Sequence, residues 1–156
     1  MYGVLNQIAT VDTRIPLMIQ DCFKGASYWT PFYNETNNIV FDSHVYYFAA
    51  AGTYSEYVNP AVCGQAQFIA QETEFPVFVG EWSLQTMFNN TLAGRKTIFD
   101  TQRYAWQEYL AGGTFWTAIS YSTAVVDGEG TQRDYWSYID LINAGVITTA
   151  INASYC

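Results

Sequence analysis

The residues able to do chemistry sit in two short runs. The first, FPVFVGEWSL at Phe75–Leu84, is an apolar run that ends in Gly80-Glu81-Trp82. The glycine permits close backbone approach. Glu81 would then emerge at the mouth of a strand with an indole beside it. A carboxylate among aromatic rings can serve as nucleophile or general acid on a glycosidic bond. The bland alternatives are a Glu that caps the next helix or pairs with an Arg. The second run, FDSHVYYF, carries His44 and Tyr46. Strand alternation puts both on one side, where an imidazole and a phenol could orient a nearby carboxylate. His44 is the only histidine, and without Glu81 it would read as a satisfied core residue.

Other chemistries find little support. Asp42 and His44 are too few for a metal site, and no Cys/His cluster has ligand spacing. Gly128-Glu129-Gly130-Thr131 lies in a polar loop without a following Lys, so it is no phosphate cradle. Ser83 stands in Glu-Trp-Ser-Leu, not in a nucleophile elbow. Nothing implies a cofactor.

The elements that must position these residues alternate. Four nearly continuous apolar runs of strand length occur at Ile15–Cys22, Ile39–Tyr46, Phe75–Glu81 and Thr114–Ser120. Continuous rather than alternating runs suit strands of a parallel sheet. Residues 2–12 read as the end of a helix. Helical segments are expected at Pro60–Glu72 with Ala61, Phe68 and Ile69 inward, at Leu92–Leu110 with Ile98, Tyr104, Ala105 and Leu110 periodic, and at Tyr135–Ala144. The order α-β-α-β-α-β-α-β-α implies βαβ units in one α/β domain spanning 1–156. The long loops after each strand, Phe23–Asn38, Tyr47–Asn59, Trp82–Thr91 and Tyr121–Asp134, are where such folds place their sites.

With 156 residues the chain can bury a sizeable core. Its 18% aromatic content must fill that core first, with some faces left for sugar rings. A net charge of −8 and the lack of a basic run argue against a nucleic-acid partner. No apolar run approaches the ~18 residues of a membrane span, and MYGVLNQIAT lacks the pattern of a signal peptide. Sequons at Asn34, Asn89 and Asn152 hint at secretion. The three cysteines leave at least one unpaired within the chain. Terminal Cys156 is placed to tie down a tail, a loop residue such as Cys63 is its candidate partner, and Cys22, inside an apolar run, reads as a buried thiol.

The series IPLMIQDCF, Tyr28-Trp29, FDSHVYYF, FPVFVGEWSL, GGTFW and DYWSYIDLINAGVI resembles the C-terminal half of fungal exo-β-1,3-glucanases of glycoside hydrolase family 5. The resemblance covers nearly the whole chain in order and spacing, and the GEWS segment with the upstream His-x-Tyr is its most specific part. It implies half of a (β/α)8 TIM barrel, parallel strands five to eight with their helices, and a retaining mechanism with Glu81 as nucleophile. It implies active-site roles for His44 and Tyr46, substrate-binding positions at Asp21, Trp29, Trp82 and Trp116, β-1,3-glucan or its oligosaccharides as ligand, and a Cys63–Cys156 disulfide.

The departures shape the expected function. The family's acid/base Glu stands in an Asn-Glu-Pro segment after strand four, and no such segment occurs here: Asn34-Glu35 is followed by Thr36. The family's Trp-x-Trp-Lys on strand eight reads Trp116-Thr117-Ala118-Ile119. A retaining glycosidase needs two carboxyls about 5–5.5 Å apart, and one is evident. The expectation is therefore a secreted, truncated relative, inactive alone, that binds glucan oligosaccharides. The alternatives are an active hydrolase completed by oligomerisation or by a local acid (Asp21, Asp42 or Glu129), and a structural or signalling protein without sugar binding. Open sheet edges would favour a homodimer.

Overall fold

The structure is a computed structural model that describes residues 2–72, 74–149 and 156, with Tyr2 described by its backbone alone. Four strands, β1 (Leu17–Gln20), β2 (Ile39–Val45), β3 (Val77–Trp82) and β4 (Gly113–Phe115), form one sheet in the order β1-β2-β3-β4. Every neighbouring pair is parallel. Among the described residues six α-helices accompany them: α1 (Tyr2–Val11), α2 (Ala26–Trp29), α3 (Val58–Ile69), α4 (Arg95–Tyr109), α5 (Gln132–Trp136) and α6 (Tyr138–Asn143). The expected α/β class with a parallel sheet is thus present.

The core lies between the sheet and α3 and α4. Val79 and Trp82 of β3 pack there with Val62 and Ala66 of α3 and with Phe99 and Trp106 of α4. A second cluster joins Ile39, Phe41, Phe75 and Val77 with Ala26. On α3 the buried stripe is Val58, Val62, Cys63 and Ala66, one step round from the stripe expected. Ala61 and Phe68 face outward, Phe68 strongly so. The i, i+4, i+8 row from Val58 carries more apolar volume than one through Ala61.

Several other expectations give way to local chemistry. β4 is short because the chain turns off the sheet after Phe115: Thr117 donates its amide to the carbonyl of Trp136. The final helix is two, broken at Ser137, whose extended backbone caps α6. Thr131 opens α5 with a reciprocal capping box to Asp134. Cys63 lies within α3, not in a loop, and bonds to Cys156 with 5.5 Å between Cα atoms. Cys22 is an exposed free thiol, not a buried one. The strand ends at Gln20, and a positive φ of 55° at Cys22 turns the chain off the sheet. Among the described residues no helix is long and apolar enough to cross a membrane. The sequon at Asn152 lies outside the described residues.

Candidate active site

The site is built where β2 and β3 end side by side. Along β3, Val77 and Val79 are buried toward the helices. Strict alternation would send Glu81 the same way. A bulge prevents this: Ser43 pairs with Val79, but His44 pairs with Glu81, so β3 carries one extra residue at Gly80. The bulge resets the phase. Glu81 joins the open face, and Trp82 returns to the core.

Four side chains converge on that face. The Tyr46 hydroxyl donates to Glu81 Oε2 at 2.6 Å. His44 Nδ1 lies 3.3 Å from the same oxygen. The other ring nitrogen, His44 Nε2, is 3.2 Å from Asp42 Oδ2. Asp42, His44, Glu81 and Tyr46 therefore form one chain of contacts across two strands. Burial, then the hydrogen bond to Glu81 and its negative charge, raise the Tyr46 phenol well above its ordinary value. Tyr46 stays protonated and remains a donor.

An aromatic wall backs the phenol. The Trp136 ring stacks on Tyr46 at 5.6 Å and 11°, Phe48 packs against both, and Trp136 Nε1 donates to Gln85 Oε1 at 2.8 Å. Buried Gln102 of α4 donates to the Ser83 carbonyl at 2.9 Å and fixes the segment just after Glu81. A cleft of about 440 Å³ borders His44 and is also lined by Asp21, Phe23, Ser43, Phe68 and Glu72.

The structure separates the expected site residues. Glu81, His44 and Tyr46 come together. Trp116 follows β4, half-exposed, with its amide donating to the Trp82 carbonyl one residue from Glu81. Trp82 does not line the open face; it is buried against Phe99 and Phe115, because the bulge returns it to the helix side. Asp21 is buried too, accepting from Ser43 Oγ and from the amide of Phe23, so it braces β1 against β2. Trp29 spends its indole N–H on the Asp21 carbonyl at 2.8 Å and packs with Tyr28 and Phe32 rather than with Tyr46. Of the three local acids considered as second carboxyl, Asp21 serves Ser43, and Glu129 accepts from the Leu92 amide at 2.8 Å. Asp42 alone touches the site, on the far side of His44. The residues not foreseen are Trp136 and Gln85 with the positioning contact of Asp42. Trp136 stood in the quoted DYWSYIDL segment, but no local pattern says that a helical Trp will stack on a strand-end Tyr. Among the described residues no group of three His, Cys, Asp or Glu could hold a metal ion.

No protein-family model matches this chain, and no curated sequence matches it. Solved structures do. AoRut aligns with a TM-score of 0.88 and 37% identity over 94% of this chain and 40% of its own. The rutinosidase from Aspergillus niger aligns with a TM-score of 0.86 and 36% identity over 93% of this chain and 40% of its own. The chain thus spans about 40% of the length of the structures it matches, consistent with a partial barrel. These neighbours overturn the resemblance to exo-β-1,3-glucanases, since they are rutinosidases, glycosidases of a different kind. The chain carries a glycoside-hydrolase-like fold, similar in sequence and backbone to part of the rutinosidases.

Proposed function

We propose that this chain is the nucleophile-bearing half, strands five to eight, of a retaining glycosidase barrel, and that its sugar ligand is a rutinoside-type glycoside. The observation that carries the reading is the grip on Glu81: Tyr46 and His44 both meet Oε2, and Oε1 takes neither contact. Oε1 is then the oxygen that attacks the anomeric carbon. A glycosyl ester forms as the bond to the leaving oxygen breaks, and that oxygen needs a proton from a second carboxyl. Asp21 and Glu129 are engaged elsewhere and Asp42 lies behind His44. Alone, the chain should therefore bind glycosides and form the ester only with leaving groups that need no proton. Trp116 and the Tyr46–Trp136 wall supply faces on which sugar rings can stack. Exposed Asn34 and Asn89 in sequons and the Cys63–Cys156 bridge support a secreted protein.

A dinitrophenyl rutinoside tests the nucleophile directly, because dinitrophenolate leaves without protonation. The expected result is a burst of dinitrophenolate, together with covalent labelling of Glu81 by the matching 2-deoxy-2-fluoro glycosyl fluoride. Both should vanish in Glu81→Gln. No label on the wild-type chain would sink the nucleophile reading. Calorimetry decides the ligand: tighter binding of laminari-oligosaccharides than of rutinosides would overturn the rutinoside assignment.

A further inference from the structure

We infer that Asp42 is the positioning residue of this site: its carboxylate fills the space a side chain at Gly80 would take, and from there holds the His44 ring against Glu81. A Cβ at Gly80 would lie 2.7 Å from Asp42 Cγ and 2.9 Å from Oδ2, and nearer still to Oδ1. Real Cβ atoms do not approach carboxylate atoms so closely. Asp42 sits opposite Phe78 in the register, so its side chain reaches along β3 to the bulged glycine. Gly80 is thus a glycine for a stated reason, and the carboxylate is locked between two strands at the residue before Glu81.

The contacts of Asp42 are one-sided. Oδ2 meets His44 Nε2 at 3.2 Å. Oδ1 is buried and has no hydrogen-bond partner among the described residues. A buried acceptor left unpaired destabilises a fold, so folding alone gives no reason to keep a carboxylate there. Its effect is on the ring. The two nitrogens of an imidazole are distinct, and a partner that fixes one decides where the other points. Asp42 engages Nε2 and sets the ring plane, so that Nδ1 is the nitrogen turned to Glu81 Oε2 at 3.3 Å. The Phe23 ring meets the imidazole edge-on at 6.1 Å and limits its rotation.

The test uses the full chain, in which His44 is the only histidine, so a nitrogen-15 spectrum shows a single ring. We expect the ring nitrogen shifts of the wild type to change in Asp42→Asn, because Nε2 then loses its carboxylate partner. Trapping of Glu81 by the fluorinated reagent should slow by roughly 10–100-fold, the size of loss known for the orienting partners of metal-bound imidazoles. Gly80→Ala displaces the same carboxylate without changing charge and should produce the same two effects. It gives the answer should Asp42→Asn fold poorly. A ring spectrum that neither substitution changes overturns the inference. The proposal rests on the nucleophile reading only for the trapping rate: a wild-type chain that takes no label defeats that reading, and the ring spectrum still decides the role of Asp42.

Discussion

The Tyr46 ring lies almost parallel to Trp136, 11° apart with centroids at 5.6 Å, while its hydroxyl holds Glu81 at 2.6 Å. The first contact fixes the second: a phenol can aim at one carboxylate oxygen only if its ring cannot swing. Aromatic pairs of this kind contribute about 0.5–1.5 kcal/mol beyond the area they bury. Trp136→Ala should therefore lower the melting temperature by several degrees and slow the labelling of Glu81 by about tenfold. Trp136→Phe keeps a stacking face and should recover most of the rate. Equal labelling rates in wild type and Trp136→Ala would show that the wall does not position the phenol.

Alkaline stability should report on the same phenol. Burial first, and then Glu81, raise Tyr46 above its ordinary value of 10.0. Burial also raises Tyr47, and pushes Tyr135 up to about 12. The folded chain therefore keeps these protons at a pH where the unfolded chain has begun to lose them. Stability then falls as pH rises: it is present in full below about pH 10 and is lost progressively above it. Melting temperatures measured from pH 8 to 11 should drop above pH 10, and less steeply in Tyr46→Phe. At neutral pH that variant should cost about 1–2 kcal/mol for the lost hydrogen bond. An identical alkaline slope in Tyr46→Phe would contradict the assignment.

How much of this was legible in the sequence depends on the length scale of the signal. The sheet was legible, because four continuous apolar runs are a local property of the chain: β1 and β2 lie within theirs, and β3 and β4 overrun theirs by one residue each, Trp82 and Gly113. The triad of Glu81, His44 and Tyr46 was legible from residue types at strand ends. The partition of the aromatics was not. Glu81 and Trp82 are neighbours, yet one faces the open side and the other the core, because of a bulge that shifts pairing between Ser43 and His44. The glycine was its only trace, and a glycine alone does not say what approaches it. The burial of Asp21 was not legible for a related reason: it is set by Ser43 on the next strand, a non-local partner. The resemblance to exo-β-1,3-glucanases misled because a few short strand-end motifs do not separate one kind of glycosidase from another.

The disulfide joins residues 93 apart in sequence, α3 to the last residue. In the chain-entropy model such a bridge stabilises by about 4–5 kcal/mol. Reduction, or Cys63→Ser, should lower the melting temperature by roughly 10–15 °C for a chain of this size. Cys22 is exposed and free, so the oxidised native chain should react with one equivalent of a thiol reagent, and Cys22→Ser with none. Calorimetry with and without reductant checks the first, and a thiol titration the second. An unchanged melting temperature would mean that the bridge does not constrain the unfolded chain.

The last expectation concerns the open face. Parallel sheets are normally covered on both sides. Here the core cluster occupies the helix side, while Met18 of β1 is half-exposed on the other, and β1 and β4 end the sheet with their outer edges unpaired among the described residues. Unpaired, apolar strand edges are sites of association. We therefore expect this chain on its own to self-associate, with a second copy lying across the face that carries Glu81. Light scattering over a hundredfold range of concentration should show a mass rising toward that of a dimer. Met18→Glu places a charge on the buried side of such an interface and should shift the midpoint upward by at least tenfold, with the melting temperature of the dilute chain little changed. A mass that stays at 17.6 kDa throughout the range would rule out self-association and leave the rest of a barrel, rather than a second copy, as the partner that the face requires.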